Sequence, residues 1–123
     1  MFKYTSKHVL GEIKNVDLAN EIMDEIDKEE AAENDKEYEK VPPIKYKYEL
    51  QTRKPPYPYE KVSSLSVLDE PIEKLTRMDF RNTTYGTDIS DAKWRYVQLL
   101  IEEFNIKTFR EFHNHYLISD VLH

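Results

Sequence analysis

Two helices joined by three residues constrain the final third of this 123-residue chain more than any other feature. Trp94, Val97, Leu100, Ile101 and Phe104 recur with the spacing of one helix face. Ser90 stands where a side-chain hydroxyl caps such a helix, and Asn105 suits a left-handed exit from it. Thr108-Phe109-Arg110-Glu111 is a capping box: the threonine hydroxyl accepts the amide three residues on, and Glu111 reaches back. Phe109, Phe112, Tyr116 and Leu117 then line the inner face of a second helix. Helices over 90–104 and 108–121 with so short a connector, Asn105-Ile106-Lys107, must pack as a helical hairpin or corner.

Upstream, Leu18, Ile22 and Ile26 with Met23 form a narrow apolar stripe opposite Glu21, Asp24, Glu25 and Asp27, which predicts a helix over about 15–30. From Lys28 to Lys40 apolar residues nearly vanish, and a solvated helix end or linker is expected. After Val41-Pro42-Pro43, strict alternation in Ile44-Lys45-Tyr46-Lys47-Tyr48-Glu49-Leu50-Gln51 predicts a half-buried edge strand. The Tyr/Lys alternation could also stack bases, a weaker expectation for a single strand without a basic surplus. The prolines of Arg53-Lys54-Pro55-Pro56-Tyr57-Pro58-Tyr59-Glu60 impose an extended path. A structured loop anchored by its tyrosines is favoured over a polyproline ligand for a partner domain. Asp69-Glu70-Pro71 resembles a helix start and predicts a helix to about Met78, followed by a turn-rich connection over 82–86.

Length allows one modest core. With no cysteine there is neither a disulfide framework nor a thiolate metal site, which fits an intracellular setting. No apolar run approaches the roughly 18 residues of a membrane span, and Met1-Phe2-Lys3-Tyr4-Thr5 lacks a signal peptide's apolar stretch. Gly11 and Gly86, standing alone, build no phosphate loop. The net charge of −6 lies wholly in residues 1–40, with twelve acids against six bases; the remainder holds twelve of each. A basic footprint for DNA is therefore missing from the isolated chain.

The residues that invite chemistry are Tyr116 and Asp120, in Tyr116-Leu117-Ile118-Ser119-Asp120. Four positions apart on a helix, phenol and carboxylate share a face. The carboxylate suits a divalent cation and the phenol hydroxyl an attacking water. Any amphipathic helix produces the same spacing, with Tyr116 packed in the hairpin core and Asp120 on the surface. His113 and His115 lie about 200° apart and cannot share an ion. Ordinary surface or core histidines are expected rather than a zinc site, which needs three or four ligands.

In order along the chain stand Lys54-Pro55-Pro56-Tyr57-Pro58-Tyr59-Glu60, Ser63, Leu68-Asp69-Glu70, Ile89-Ser90-Asp91, Glu102-Glu103-Phe104, Lys107-Thr108, His113, Tyr116, Asp120 and Val121-Leu122. This series resembles a segment of protein-primed family B DNA polymerases, those of self-replicating transposons, linear plasmids and related viruses. Phe2-Lys3-Tyr4-Thr5-Ser6-Lys7 matches the preceding piece weakly, and residues 15–50 match nothing, as an insertion would. The likeness covers about 54–123.

The resemblance implies the C-terminal part of a 3′–5′ proofreading exonuclease domain of ribonuclease-H-like fold. Tyr116 would orient the water, Asp120 would ligate catalytic Mg²⁺ or Mn²⁺, and DNA would be the partner of the intact polymerase. The family's first motif, Asp-x-Glu, its second, an Asn followed by Phe-Asp, and its palm motifs are missing. One carboxylate cannot hold two ions, so the chain is expected to bind no metal stably and to be inert alone: a truncated frame, a degraded element or one exon. The expected fold is α+β and mostly helical, with one short strand or hairpin. Residues 1–53 would form an acidic N-terminal part and 54–123 the polymerase-like segment. The alternative is a small acidic interaction module, using helix 15–30 and the tyrosine-rich loop to bind a protein partner.

Overall fold

A computed structural model of the chain describes residues 11–58, 61–62, 64–80 and 89–122. The expected connection at 82–86 lies outside them, as do His8, His123 and residues 2–7, 59, 60 and 63 of the polymerase-like pattern. The protein is mostly helical. Its described helices are α1 (Val16–Glu33), α2 (Lys47–Gln51), α3 (Asp91–Glu103) and α4 (Phe109–Leu122). Strand pairing among the described residues consists of two isolated antiparallel bridges, Glu12 with Tyr46 and Pro71 with Thr108.

Helix α1 forms where the apolar spacing puts it and packs against α3. Its buried line is Ala19, Ile22, Met23 and Ile26, with Leu18 at the margin. The acids opposite remain largely in water, although Arg95 of α3 pairs with Glu25 at 3.1 Å and lies 3.8 Å from Glu21. Such rim pairs contribute about 0–1 kcal/mol; the apolar stripe holds the helices together. The helix ends at Glu33, Asp35 takes a left-handed φ of 53°, and residues 34–40 are exposed apart from half-buried Tyr38.

Asn20 fastens the returning chain to α1. Its Oδ1 accepts from the Ile44 amide at 2.7 Å, and its Nδ2 donates to the Ile44 carbonyl at 3.1 Å. One side chain thus satisfies both backbone groups of a residue that has no strand partner. Asn20→Ala is expected to cost about 1–3 kcal/mol, and urea denaturation would measure it. A loss below a few tenths of a kcal/mol would mean that the 41–45 segment is held elsewhere.

The strand expected over 44–51 does not form. Only Tyr46 is bridged, and Lys47–Gln51 is helix α2. The cause is Glu49, whose Oε1 accepts from the amides of Lys45 and Tyr46, each at 3.1 Å, and closes a helical turn. Tyr46 and Tyr48 are left exposed, their rings stacked 6.1 Å apart, while Leu50 and Gln51 are buried.

The helix expected from Asp69 to Met78 is likewise replaced, by short 3-10 turns at Leu65–Asp69, Ile72–Lys74 and Arg77–Phe80. Between the first two, the backbone is used elsewhere: the Glu70 carbonyl accepts from the Phe109 amide at 3.1 Å, and the Ile72 amide donates to the Lys107 carbonyl at 2.9 Å. Pro71 and Leu75 are extended. Asp69 is no cap; its carboxylate takes Arg110 at 3.0 Å.

The helical hairpin forms as its caps dictate. Ser90 Oγ accepts from the Lys93 amide, Asn105 has φ 51°, and Thr108 Oγ1 accepts from the Glu111 amide. Glu111 reaches back one residue further than a capping box would, to the Lys107 amide at 2.7 Å. The buried face of α3 is Ala92, Tyr96, Val97, Leu99 and Leu100, while Trp94 and Ile101 are half-buried. On α4, Phe109 and Phe112 are buried and Tyr116 is half-buried, but Leu117 is 47% exposed. Five residues beyond Phe112, Leu117 points about 140° away from it. His115 and Ser119 take the inner positions instead, with Ser119 Oγ donating to the His115 carbonyl at 3.1 Å. One core unites Ile13, Ala19, Ile22, Ile26 and Leu50 with Tyr96, Leu100, Phe109 and Phe112, so the N-terminal part and the polymerase-like segment share their interior.

Candidate functional site

The loop that leaves α2 is fixed from both sides. Tyr96 sits 2% exposed in α3, and its hydroxyl donates to the carbonyls of Leu50 and Arg53, each at 3.0 Å. The Arg53 guanidinium takes both carboxylate oxygens of Asp27 on α1. Pro55 and Pro58 are buried, so the proline-rich stretch is an internal structured loop. Held this way, the loop carries Lys54 and Tyr57 onto α4.

Tyr57 packs among three α4 rings: Phe112 at 6.3 Å between centroids, His113 at 5.7 Å and Tyr116 at 4.5 Å. Its hydroxyl lies 2.6 Å from His113 Nδ1, the direction of donation depending on the imidazole tautomer. Lys54 Nζ stands 2.8 Å from Asp120 Oδ1 and 5.2 Å from the centre of the Tyr116 ring. Hydrogen bonds to Asp120 and then to the Tyr116 hydroxyl hold the lysine's proton well above its ordinary range. Tyr116 and Asp120 do face one way, as their spacing implies, and an ammonium joins them.

A divalent ion at Asp120 would have to displace that ammonium, at oxygen distances of about 2.0–2.1 Å for Mg²⁺. Among the described residues no three His, Asp or Glu side chains gather to help it. Asp120 alone does not fit a two-ion nuclease centre. His113 is engaged with Tyr57, and His115 is buried against Phe104 at 4.7 Å between ring centres.

Sequence reasoning places Tyr116 and Asp120 but misses their partner. Lys54 lies 66 residues from Asp120, and no periodicity spans that distance; its place in the Lys-Pro-Pro-Tyr-Pro motif is the one pointer to it. Tyr96 is missed as an organiser, and so is Glu103, whose carboxylate accepts from the amides of Lys14 and Asn15 ahead of α1, because a glutamate and a tyrosine on an amphipathic helix look like rim residues. No family model, curated protein or solved structure matches this chain.

Burial raises the Tyr96 phenol far above its ordinary 10, and burial also raises Tyr57, with Tyr116 adding to it. The folded protein holds these protons more tightly than the unfolded chain does. Their contribution to stability is therefore complete below the unfolded value of about 10 and is lost as pH rises from there toward the raised folded values. Ultraviolet titration above pH 10 should show Tyr96 ionising only as helical circular dichroism disappears. Its ionisation near the ordinary value, with helix content intact, would contradict this burial.

Proposed function

We propose that this chain is a segment of a DNA-directed DNA polymerase of the protein-primed family B kind. It would come from the end of the proofreading exonuclease region, of ribonuclease-H-like ancestry, and be inert by itself. The observation that supports this most is the meeting of the two most distinctive pieces of the resemblance: the Lys-Pro-Pro-Tyr-Pro loop lies on the Tyr-x-x-x-Asp helix through Lys54, Tyr57, Tyr116 and Asp120. In the intact enzyme DNA would be the partner, Tyr116 would orient water, and Asp120 would be one of several metal-bound carboxylates. Mg²⁺ or Mn²⁺ would supply Lewis acidity there; among the described residues no group of three His, Asp or Glu side chains gathers to hold such an ion. Residues 15–50 would be an insertion that has joined the core through Ala19, Ile22 and Ile26.

Sequencing the transcript on both sides of the codons for Met1 and His123 tests this. Asp-x-Glu and Asn/Phe-Asp motifs upstream and palm motifs downstream are expected, in any frame. Unrelated flanking sequence around an expressed, folded protein would favour the other reading, an interaction module. That second reading is supported by Leu117 and Val121, 47% and 71% exposed and four residues apart on α4, which form a short apolar strip suited to a protein partner.

A further inference from the structure

Tyr57 ties the Tyr116 ring to the core. The loop that carries it is pinned by buried Pro55 and Pro58 on either side and by the Tyr96 hydroxyl, which donates to the Arg53 carbonyl. The Tyr57 ring then closes on Tyr116, with centroids 4.5 Å apart and planes inclined at 53°. Phe112, 1% exposed, meets the same ring, and His113 Nδ1 lies 2.6 Å from its hydroxyl. Three residues apart, His113 and Tyr116 share a face of α4, and Tyr57 spans both. Lys54 and Asp120, also beside Tyr116, have side chains 42% and 56% accessible, and exposed ion pairs constrain geometry little.

We propose that Tyr57, anchored on His113, is a positioning residue: it fixes the rotamer of Tyr116 and thereby where the Tyr116 hydroxyl stands beside Asp120. The inference deepens the polymerase reading, in which that hydroxyl orients water, and rests on it for its purpose. Side chains move between staggered wells, and a change of well would swing the phenol away from the carboxylate. A group that orients water has to be kept within about 0.5 Å of its place. Burial alone does not do this, since Tyr116 is half-buried. Packing against Tyr57 does it only while Tyr57 cannot turn, and the hydrogen bond with His113 removes that freedom. Both residues act through Tyr116 rather than on substrate.

The test follows the Tyr116 side chain by NMR in the full chain labelled with ¹³C-tyrosine, its signals assigned by their loss in Tyr116→Phe. Unequal Hα–Hβ couplings, the signature of one staggered rotamer, are expected for Tyr116 in the parent. Tyr57→Phe keeps the ring and removes only the hydroxyl; the Tyr116 couplings should become equal while helical circular dichroism is unchanged. His113→Ala should act likewise, and His113→Asn, which keeps a polar partner near the Nδ1 position, should restore the unequal couplings. Filling space alone would leave Tyr116 unmoved in Tyr57→Phe. Averaged couplings in the parent, a single rotamer retained in Tyr57→Phe or His113→Ala, or no rescue by asparagine would overturn the proposal. Should Tyr57→Phe lose its helical spectrum, the parent and the two His113 variants decide. Unrelated flanking sequence would remove the reaction and leave this geometry standing; averaged couplings would remove the geometry and leave the resemblance standing.

Discussion

Replacing Phe112 with alanine is expected to cost about 3–5 kcal/mol, the range for removing a fully buried phenylalanine. The ring is 1% exposed and sits where the hairpin, the core and the Tyr57 loop meet. Domains of this size are stable by roughly 5–15 kcal/mol, so Phe112→Ala removes about a fifth of the total or more. The thermal midpoint should fall by about 10–20 °C. Loss of Phe112 also removes the surface on which Tyr57 rests, and the Tyr57–His113 pair should loosen before the chain unfolds. The His113 side-chain resonance would report that loosening. A variant that melted within a few degrees of the parent would show that α4 does not close the core. Leu117→Ala, on the exposed side of the same helix, should change stability by less than about 0.5 kcal/mol.

Glu103→Ala is the second large expected loss, about 2–4 kcal/mol. Glu103 is 4% exposed at the end of α3, and its two carboxylate oxygens accept from the amides of Lys14 at 2.9 Å and Asn15 at 3.2 Å. Asn15 precedes α1 without capping it through its own side chain. Besides Asp17 in its own first turn, the positive end of α1 thus meets an acid from a helix 88 residues later. Lys47 Nζ donates to the Glu103 carbonyl at 2.9 Å, which brings α2 to the same corner. Removing the carboxylate strands two amides and leaves Asp17 alone to complement the start of α1. Glu103→Gln keeps one acceptor and should lose only about half as much. Hydrogen exchange at Lys14 and Asn15 should quicken in the alanine variant before exchange elsewhere. Equal protection in both forms would mean that water, rather than Glu103, satisfies those amides.

What was legible in the sequence is what local chemistry decides. Ser90, Asn105 and Thr108 fix the hairpin ends because each acts on backbone groups within a few residues. The spacing of Ile22 and Ile26 fixes α1 for the same reason. The 44–51 segment misled because alternation says which side chains differ in polarity and is silent on what Glu49 does to two nearby amides. The segment from Asp69 misled because its backbone hydrogen-bonds to the hairpin corner at Lys107 and Phe109. Tyr116 and Asp120 on one face followed from helical geometry alone. That Lys54 would join them, and that Glu103 would serve α1, required knowing which distant segments meet.

The central physical claim is that Asp120 is committed with Tyr116 to Lys54 and that, among the described residues, no further acids gather with it into a two-ion nuclease centre. Incubating the purified chain with 3′-labelled single-stranded DNA and Mg²⁺ or Mn²⁺ tests it most directly. The expected result is no release of label above a blank, with Asp120→Asn indistinguishable from the parent. Metal-dependent release by the parent that vanishes in Asp120→Asn would contradict it.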